Sequence, residues 1–380
     1  MTVSAASPGR GTFLSLSKGI GSPQGERLHL SAVVLPEGER RELWVVDGRV
    51  TYEAVRDADE VPGAYVMPGL VDAHCHVGLE SSGAVPDDVA EQHALAERSA
   101  GALLLRDAGS PADTRWMDER EDLPRIVRAG RHIARPRRYL RNYADEVEPD
   151  ALVTAVERQA ARGDGWVKLV GDWIDREVGD LTPLWPAEVA RAGIDRAHEL
   201  GCRVTAHVFG EQAVAELVEA GIDGIEHGTG LDEATIALMA ERQVALVPTM
   251  IQLENFPGFA QAAETKFPAY ARRIRSLYDR RVATFGAAID AGVPVYAGTD
   301  AGGYLPHGIV GREIAAMGAF MTREQALGAG SWRARAWLGH PDALDEGAPA
   351  DLVTFHDDPR ADLDVLSAPA AVVLRGRRVV

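Results

Sequence analysis

Tyr65-Val66-Met67-Pro68-Gly69-Leu70-Val71-Asp72-Ala73-His74-Cys75-His76 is an apolar run that closes on two histidines one residue apart. Side chains two apart on a strand share a face, so His74 and His76 present two imidazoles to one point, as metal ligands do. Paired histidines also occur on solvated loops, and the reading depends on whether further ligands follow. Lys168 closes Gly165-Trp166-Val167-Lys168, and His207 closes Cys202-Arg203-Val204-Thr205-Ala206-His207. His227 closes Ile222-Asp223-Gly224-Ile225-Glu226-His227, and Asp300 closes Val293-Pro294-Val295-Tyr296-Ala297-Gly298-Thr299-Asp300.

Further strand-like runs at 102–107, 130–134 and 243–248 complete a set of eight. Helix-patterned stretches lie between them at 149–162, 186–200, 211–220 and 232–241, opened by Pro, Asp or Glu. Several stop at Gly163, Gly201 or Gly221, as helix-end chemistry predicts. Strand and helix alternating over roughly 250 residues describe an α/β fold, the (β/α)8 TIM barrel, whose reactive residues collect at the carboxyl ends of the strands. Every candidate ligand stands at such an end.

Pro68 to His76, Val167-Lys168-Leu169, Ala206-His207, Ile225-Glu226-His227-Gly228 and Gly298-Thr299-Asp300-Ala301-Gly302-Gly303 together resemble the metal-dependent amidohydrolase superfamily. The likeness is to its prolidase-like and imidazolonepropionase-like branch, which shows a motif similar to Val247-Pro248-Thr249-Met250, and it spans about residues 28 to 380.

The chain ends carry short alternating runs, with turns at Pro36-Glu37-Gly38 and Asp47-Gly48 and C-terminal runs at 347–355 and 371–376. Neither end buries a core alone. Residues 26–65 and 341–380 are expected to form one small composite β-sandwich, similar to the accessory domain of the superfamily, beside a barrel over 66–340. The bland alternative is that both ends merely cover the barrel floor. Residues 1–25, rich in Ser and Gly, are expected to be disordered or loosely attached.

With 40 basic and 57 acidic side chains, the net charge of −17 argues against nucleic acid or an anionic membrane as partner. The expected partner is a small-molecule substrate, with homo-oligomerisation left open. Two cysteines, Cys75 and Cys202, provide no disulfide framework, and neither a signal-peptide core nor a membrane span is evident, so the expected location is cytoplasmic.

Imidazoles and carboxylates suit Zn²⁺ or a similar divalent ion, whereas an ammonium has no lone pair to offer. If burial lowers the pKa of Lys168, its free amine can add CO2 and become a bridging carbamate. The resemblance implies this chemistry for Lys168. It also assigns His74, His76 and Asp300 to one metal and His207 and His227 to a second, with Zn²⁺ expected and Mn²⁺ or Fe²⁺ as substitutes. Two ions roughly 3.5–4 Å apart hold a bridging hydroxide at neutral pH. Asp300 then serves as general base and acid in hydrolysing an amide bond. Taken singly, His207 or His227 reads as a packed core histidine, Lys168 as a salt-bridge lysine and Asp300 as a turn residue. Their joint placement reverses those readings.

His29, His93, His132, His198, His340 and His356 have no partner at matched spacing, which favours surface or packing roles. His307 and Tyr304, in the loop after Asp300, are candidate substrate contacts, as is Tyr143. Glu226 is of a type that orients an imidazole, although neighbouring strand residues point to opposite faces. Arg138-Tyr139-Leu140-Arg141-Asn142-Tyr143 and Leu169-Val170-Gly171-Asp172-Trp173 depart from the small-residue segments of prolidase-like proteins. Their arginines and aromatics could bind a carboxylate or stack on a ring, or could be solvated. A dipeptide or N-acyl amino acid is the expected substrate, without support for Xaa-Pro specificity. Two alternatives stay open: a mononuclear deaminase, imidazolone-type hydrolase or lactonase using His74, His76, His207 and Asp300, and a barrel that binds or assembles without hydrolysis.

Overall fold

The computed structural model describes residues 26–380, so the expectation for residues 1–25 lies outside the described residues. Leu28–Val34 alternates buried and partly exposed side chains and pairs antiparallel with Glu39–Val46, which turns into Arg49–Thr51. Tyr65–Pro68 lies parallel to the first of these strands and antiparallel to the C-terminal Leu352–Phe355, which Ala371–Leu374 and Arg377–Arg378 extend. Leu30, Val34 and Val45 from one end meet Leu352, Ala371 and Val373 from the other in a shared apolar cluster. Each end thereby covers the face that the other exposes. The hydrogen bonds run through one sheet rather than two, because Tyr65–Pro68 belongs to both halves. Its far edge curls back, with Val50 N–H donating to the Ala348 carbonyl at 2.9 Å.

At Gly69 the chain leaves this sheet and enters β1, Leu70–Glu80. The parallel strands that follow are β2 (Ala102–Asp107), β3 (Arg125–Arg128), β4 (Trp166–Val170), β5 (Arg203–Val208), β6 (Gly224–His227) and β7 (Ala245–Val247). β1 pairs with β2 and β2 with β3, while β4 to β7 pair in chain order. The third position departs from expectation. β3 begins upstream of the run at 130–134, Gly130 turns the chain at φ 70°, and only Ile133–Ala134 resumes, beside β4. Charged Arg125 and Arg128 disguise this strand in the sequence, since Arg128 is buried only because Asp118 and Asp164 pair with it.

Segment 293–300 completes the ring. The Leu246 N–H donates to the Pro294 carbonyl and Tyr296 N–H to that of Leu246, at 2.9 and 3.0 Å. On the other side, Ala73 N–H donates to the Ala297 carbonyl at 2.8 Å. With a proline inside it, this segment makes no regular ladder, and ordered pairing resumes only at Ala301–Gly303.

The helices follow their sequence signals closely. Leu152–Ala160, Ala187–Glu199, Glu211–Ala220 and Glu233–Arg242 fill the four expected stretches. Asp232 caps the last of them by accepting from Thr235 N–H at 2.8 Å, and Gly221 ends Glu211–Ala220 at φ 98°. No helix among the described residues is long and apolar enough to cross a membrane.

Closure requires close backbone approach at Gly298, where a Cβ would stand 2.5 Å from Val247 Cγ1 and 2.6 Å from His74 Cβ. Gly298→Ala is therefore expected to cost about 1–3 kcal/mol of stability by overpacking, read as a lower urea midpoint. A variant as stable as the parent would show that the ring is looser than these contacts imply.

Candidate metal centre and active-site cavity

β1 delivers His74 and His76 to the carboxyl end of the ring, with their Nε2 atoms 3.2 Å apart. Asp300 Oδ1 lies 3.1 Å from the first and 2.8 Å from the second. The opposite ring nitrogens are accounted for. His74 Nδ1–H donates to Glu226 Oε2 at 2.7 Å and His76 Nδ1–H to the Gly109 carbonyl at 2.7 Å. Both partners only accept, so in neutral rings both Nε2 atoms carry lone pairs. Burial pushes the His76 imidazole pKa down, favouring its neutral form. Burial also pushes the Asp300 carboxyl up, but His74, His76 and His227 overcome this and hold it well below the usual carboxylate range. Two nitrogen lone pairs and an anionic oxygen thus converge with no proton to share, a donor set that fits a cation.

On the facing strands, His227 Nε2 lies 2.9 Å from His207 Nδ1, and His227 Nδ1 lies 2.7 Å from Thr249 Oγ1. The rings of His74 and His227 are 5.4 Å apart. Donor atoms of His74, His227 and Asp300 all lie within 4.8 Å of one another. His207 Nε2 and Lys168 Nζ are buried with no hydrogen-bond partner. Burial pushes His227 down to about 3, His207 well below its ordinary value and Lys168 down to about 8. A positive charge on Lys168 opposes protonation of His76, His132, His207 and His227. At pH 7, about one lysine in ten with such a pKa is a free amine, against fewer than about one in a thousand at the ordinary value.

Glu226 answers an objection that strand alternation raises. It cannot share a face with His227 in regular β geometry, but His227 adopts φ 67°, so the alternation ends there. Glu226 remains inside the ring, accepting from His74, from Arg106 NH2 at 2.5 Å and from the Thr205 hydroxyl. Burial pushes its carboxyl up, yet Arg106, His74 and Lys168 hold it well below its ordinary range. Asp300 and Thr249 also have left-handed backbones, at φ 59° and 49°. Asp72 fixes the Asp300 turn by accepting from His74 N–H at 3.0 Å, Thr299 N–H at 3.1 Å and the Thr299 hydroxyl at 2.5 Å.

Of the six expected ligand residues, His74, His76 and Asp300 meet at this end of the ring, His227 stands beside His74 and against His207, and Lys168 lies buried on β4 with its amine unpartnered. A seventh group was missed: His132, read from sequence as a surface or packing residue, is buried with both ring nitrogens unpartnered, 5.0 Å from the His76 ring. Its signal was its place in the run at 130–134, at the same end of the barrel as the other histidines. Beyond the cluster opens a cavity of about 370 Å³, with His76, His207 and Asp300 at its floor and Tyr139, Tyr143, Trp173 and Phe209 in its wall. Tyr304 stands at its mouth, 61% exposed. His307 does not line it; its Nδ1 lies 2.8 Å from Glu97 Oε1, and its ring stacks on His93. Arg138 is committed to Asp175 at 3.0 Å and Thr182 Oγ1 at 2.7 Å, while Arg141 is exposed.

Residues 65–379 match the model of the Amidohydrolase family. The chain belongs to the amidohydrolase family. An uncharacterized protein of Mycobacterium tuberculosis is 56% identical over 354 residues, 92% of this chain and 95% of that one. The ochratoxinase of Aspergillus niger is 28% identical over 238 residues, 60% of this chain and 48% of that enzyme. In three dimensions the amidohydrolase resembles a Xaa-Pro dipeptidase with bound methionine in its active site, at TM-score 0.78, 22% identity and coverage of 93% and 99%. The structure of A. niger ochratoxinase matches at TM-score 0.76 and 20% identity, covering 93% and 96%. The family expected from the motifs is therefore the observed one, and this amidohydrolase is a hydrolase acting on carbon–nitrogen bonds. Metal dependence is general in the family, and the converging donors above provide a site for it.

In this amidohydrolase, Glu226→Ala strands the buried Arg106 guanidinium and is expected to cost about 3–5 kcal/mol in urea unfolding. The double variant Arg106→Met/Glu226→Leu should recover part of that loss, since neither charge remains. A double variant no better than the single one would show that the charge pair is not what the fold depends on.

Proposed function

We propose that this amidohydrolase hydrolyses an amide bond of a small substrate at a centre of two divalent ions, Zn²⁺ by choice of ligands and Mn²⁺ or Fe²⁺ as substitutes. His74, His76 and Asp300 would hold one ion, His207 and His227 the other, and a carbamate on Lys168 would lie between them. The observation that carries this reading is the Lys168 amine, buried with no hydrogen-bond partner and its pKa pushed down to about 8 by burial. Its lone pair attacks CO2, the nitrogen loses a proton, and the resulting anion offers two oxygens where the ammonium offered none. Ions in such a set supply Lewis acidity and lower the pKa of water.

The chain's own groups account for the remaining work. Asp300 is ionised and its side chain is 16% exposed to the cavity, so it can take a proton from water and return it to the departing nitrogen. Glu226 holds His74 in the tautomer that leaves Nε2 free, and Gly109 does the same for His76. The wall of Tyr139, Trp173 and Phe209 keeps bulk water from the reacting carbonyl.

A mononuclear reading is supported by one fact, that His74, His227 and Asp300, from three different strand ends, bring their donor atoms within 4.8 Å of one another, a set that a single ion could take. We further take residues 26–65 with 341–380 as an accessory unit to the barrel of 66–340. Two buried free cysteines suit a cytoplasmic setting.

Metal analysis separates one ion from two. Two equivalents per chain are expected, falling to one in Lys168→Ala with a loss of activity of about a hundredfold or more, because the remaining ligands are no longer bridged. Chelation should abolish hydrolysis, and added Zn²⁺ or Mn²⁺ should restore it. One equivalent in both proteins would remove the binuclear centre.

A further inference from the structure

The cavity above the candidate centre is walled by rings. Tyr139 packs edge-on against Trp173 at 4.9 Å and against His207 at 5.4 Å, Phe209 lies 4.4 Å from His207, and Phe267 and Tyr270 line the outer wall. No arginine or lysine among the described residues lines it. The arginine that the sequence offers for a carboxylate, Arg138, is turned away into Asp175, Thr182 and the Trp173 carbonyl. Lys266 is exposed, lies over the ring of Phe267 and is not among the residues that line the cavity. None of the polar groups that remain in the wall carries a positive charge. Gln252 contributes a carboxamide, and the Tyr143 hydroxyl is buried without a partner, its pKa pushed up to about 12 by burial. Asp300 adds a negative charge at the floor.

A carboxylate lying against the wall, away from the centre at the floor, would find no guanidinium or ammonium to pair with, and an unpaired buried charge is costly. An aromatic ring, by contrast, finds offset and edge-on partners on every side. Building on the amide-hydrolysis reading, we infer that the substrate is an uncharged amide carrying an aromatic or comparably bulky apolar group, held by the rings of Tyr139, Trp173 and Phe209 and by one hydrogen bond from Tyr143. This departs from the N-acyl amino acid or dipeptide that the sequence suggests. Those substrates carry a carboxylate one carbon from the scissile nitrogen, and the wall of this cavity offers that group rings and no cationic side chain.

A matched pair of compounds isolates that carboxylate: N-acetylphenethylamine and N-acetylphenylalanine differ in nothing else. With the metal-loaded full chain, kcat/KM is expected to be at least tenfold higher for the uncharged member. Equilibrium dialysis in the presence of a chelator, where turnover is suppressed, should show the same order of affinity. Gln252→Arg, which puts a guanidinium into the wall, should shift the kcat/KM ratio toward N-acetylphenylalanine. Equal or reversed selectivity with both compounds turned over would overturn the inference while leaving amide hydrolysis standing. Tighter binding of the uncharged compound with no turnover of either would support it and count against the hydrolytic reading. Absence of both binding and turnover, or a ratio unmoved by Gln252→Arg, would also overturn it.

Discussion

The buried ion pair between Glu226 and Arg106 is the constraint on which the site depends. Glu226 is fully buried and accepts from three different strands, through His74 of β1, Arg106 of β2 and Thr205 of β5. Arg106 in turn donates through Nε to the Ala73 carbonyl at 2.7 Å, beside His74. A charge pair in such a place contributes little net stability once desolvation is counted, but it penalises every arrangement that leaves one partner alone. It therefore specifies which strands meet and which nitrogen of His74 stays free, and so joins the barrel interior to the chemistry at its rim.

The rim itself is made by backbone that stops being strand. His227, Thr249 and Asp300 all have positive φ without being glycine, and each stands where a parallel strand or its equivalent ends. Such conformations cost energy and persist where the surroundings over-determine them. Here those surroundings are visible: Asp72 ties down the Asp300 turn through three donors, and the Thr249 hydroxyl lies against the His227 ring. The turns let neighbouring residues serve one centre, which regular alternation forbids.

Desolvation does the rest. The chain is strongly acidic overall, yet the wall of the cavity is aromatic and the imidazoles at its floor are driven toward neutrality by burial. The same burial brings Lys168 to a value at which a useful fraction is free amine. Ligation and carbamate chemistry both ask for the uncharged form, and burial favours it without any dedicated partner.

The sequence by itself determined the strand and helix alternation and the family, and it singled out six strand-end residues as candidate ligands, because those readings rest on local periodicity and on residue types that few other roles require. It could also be read for the pairing of the two chain ends, since neither had enough apolar surface to fold alone. Only the tertiary structure decided what Arg138, His132, His307 and Glu226 do. Arg138 reads as a carboxylate ligand or a solvated loop residue until its aspartate is placed beside it, and His132 as a surface or packing residue until both of its nitrogens are found buried and unpartnered. His307 belongs to the substrate loop in sequence but to Glu97 in space. Glu226 stands on the wrong face of a regular strand until the positive φ of His227 is known. In each case the deciding contact is long-range or lies in a backbone turn that L-residues seldom adopt, and neither leaves a mark in the local pattern of residues.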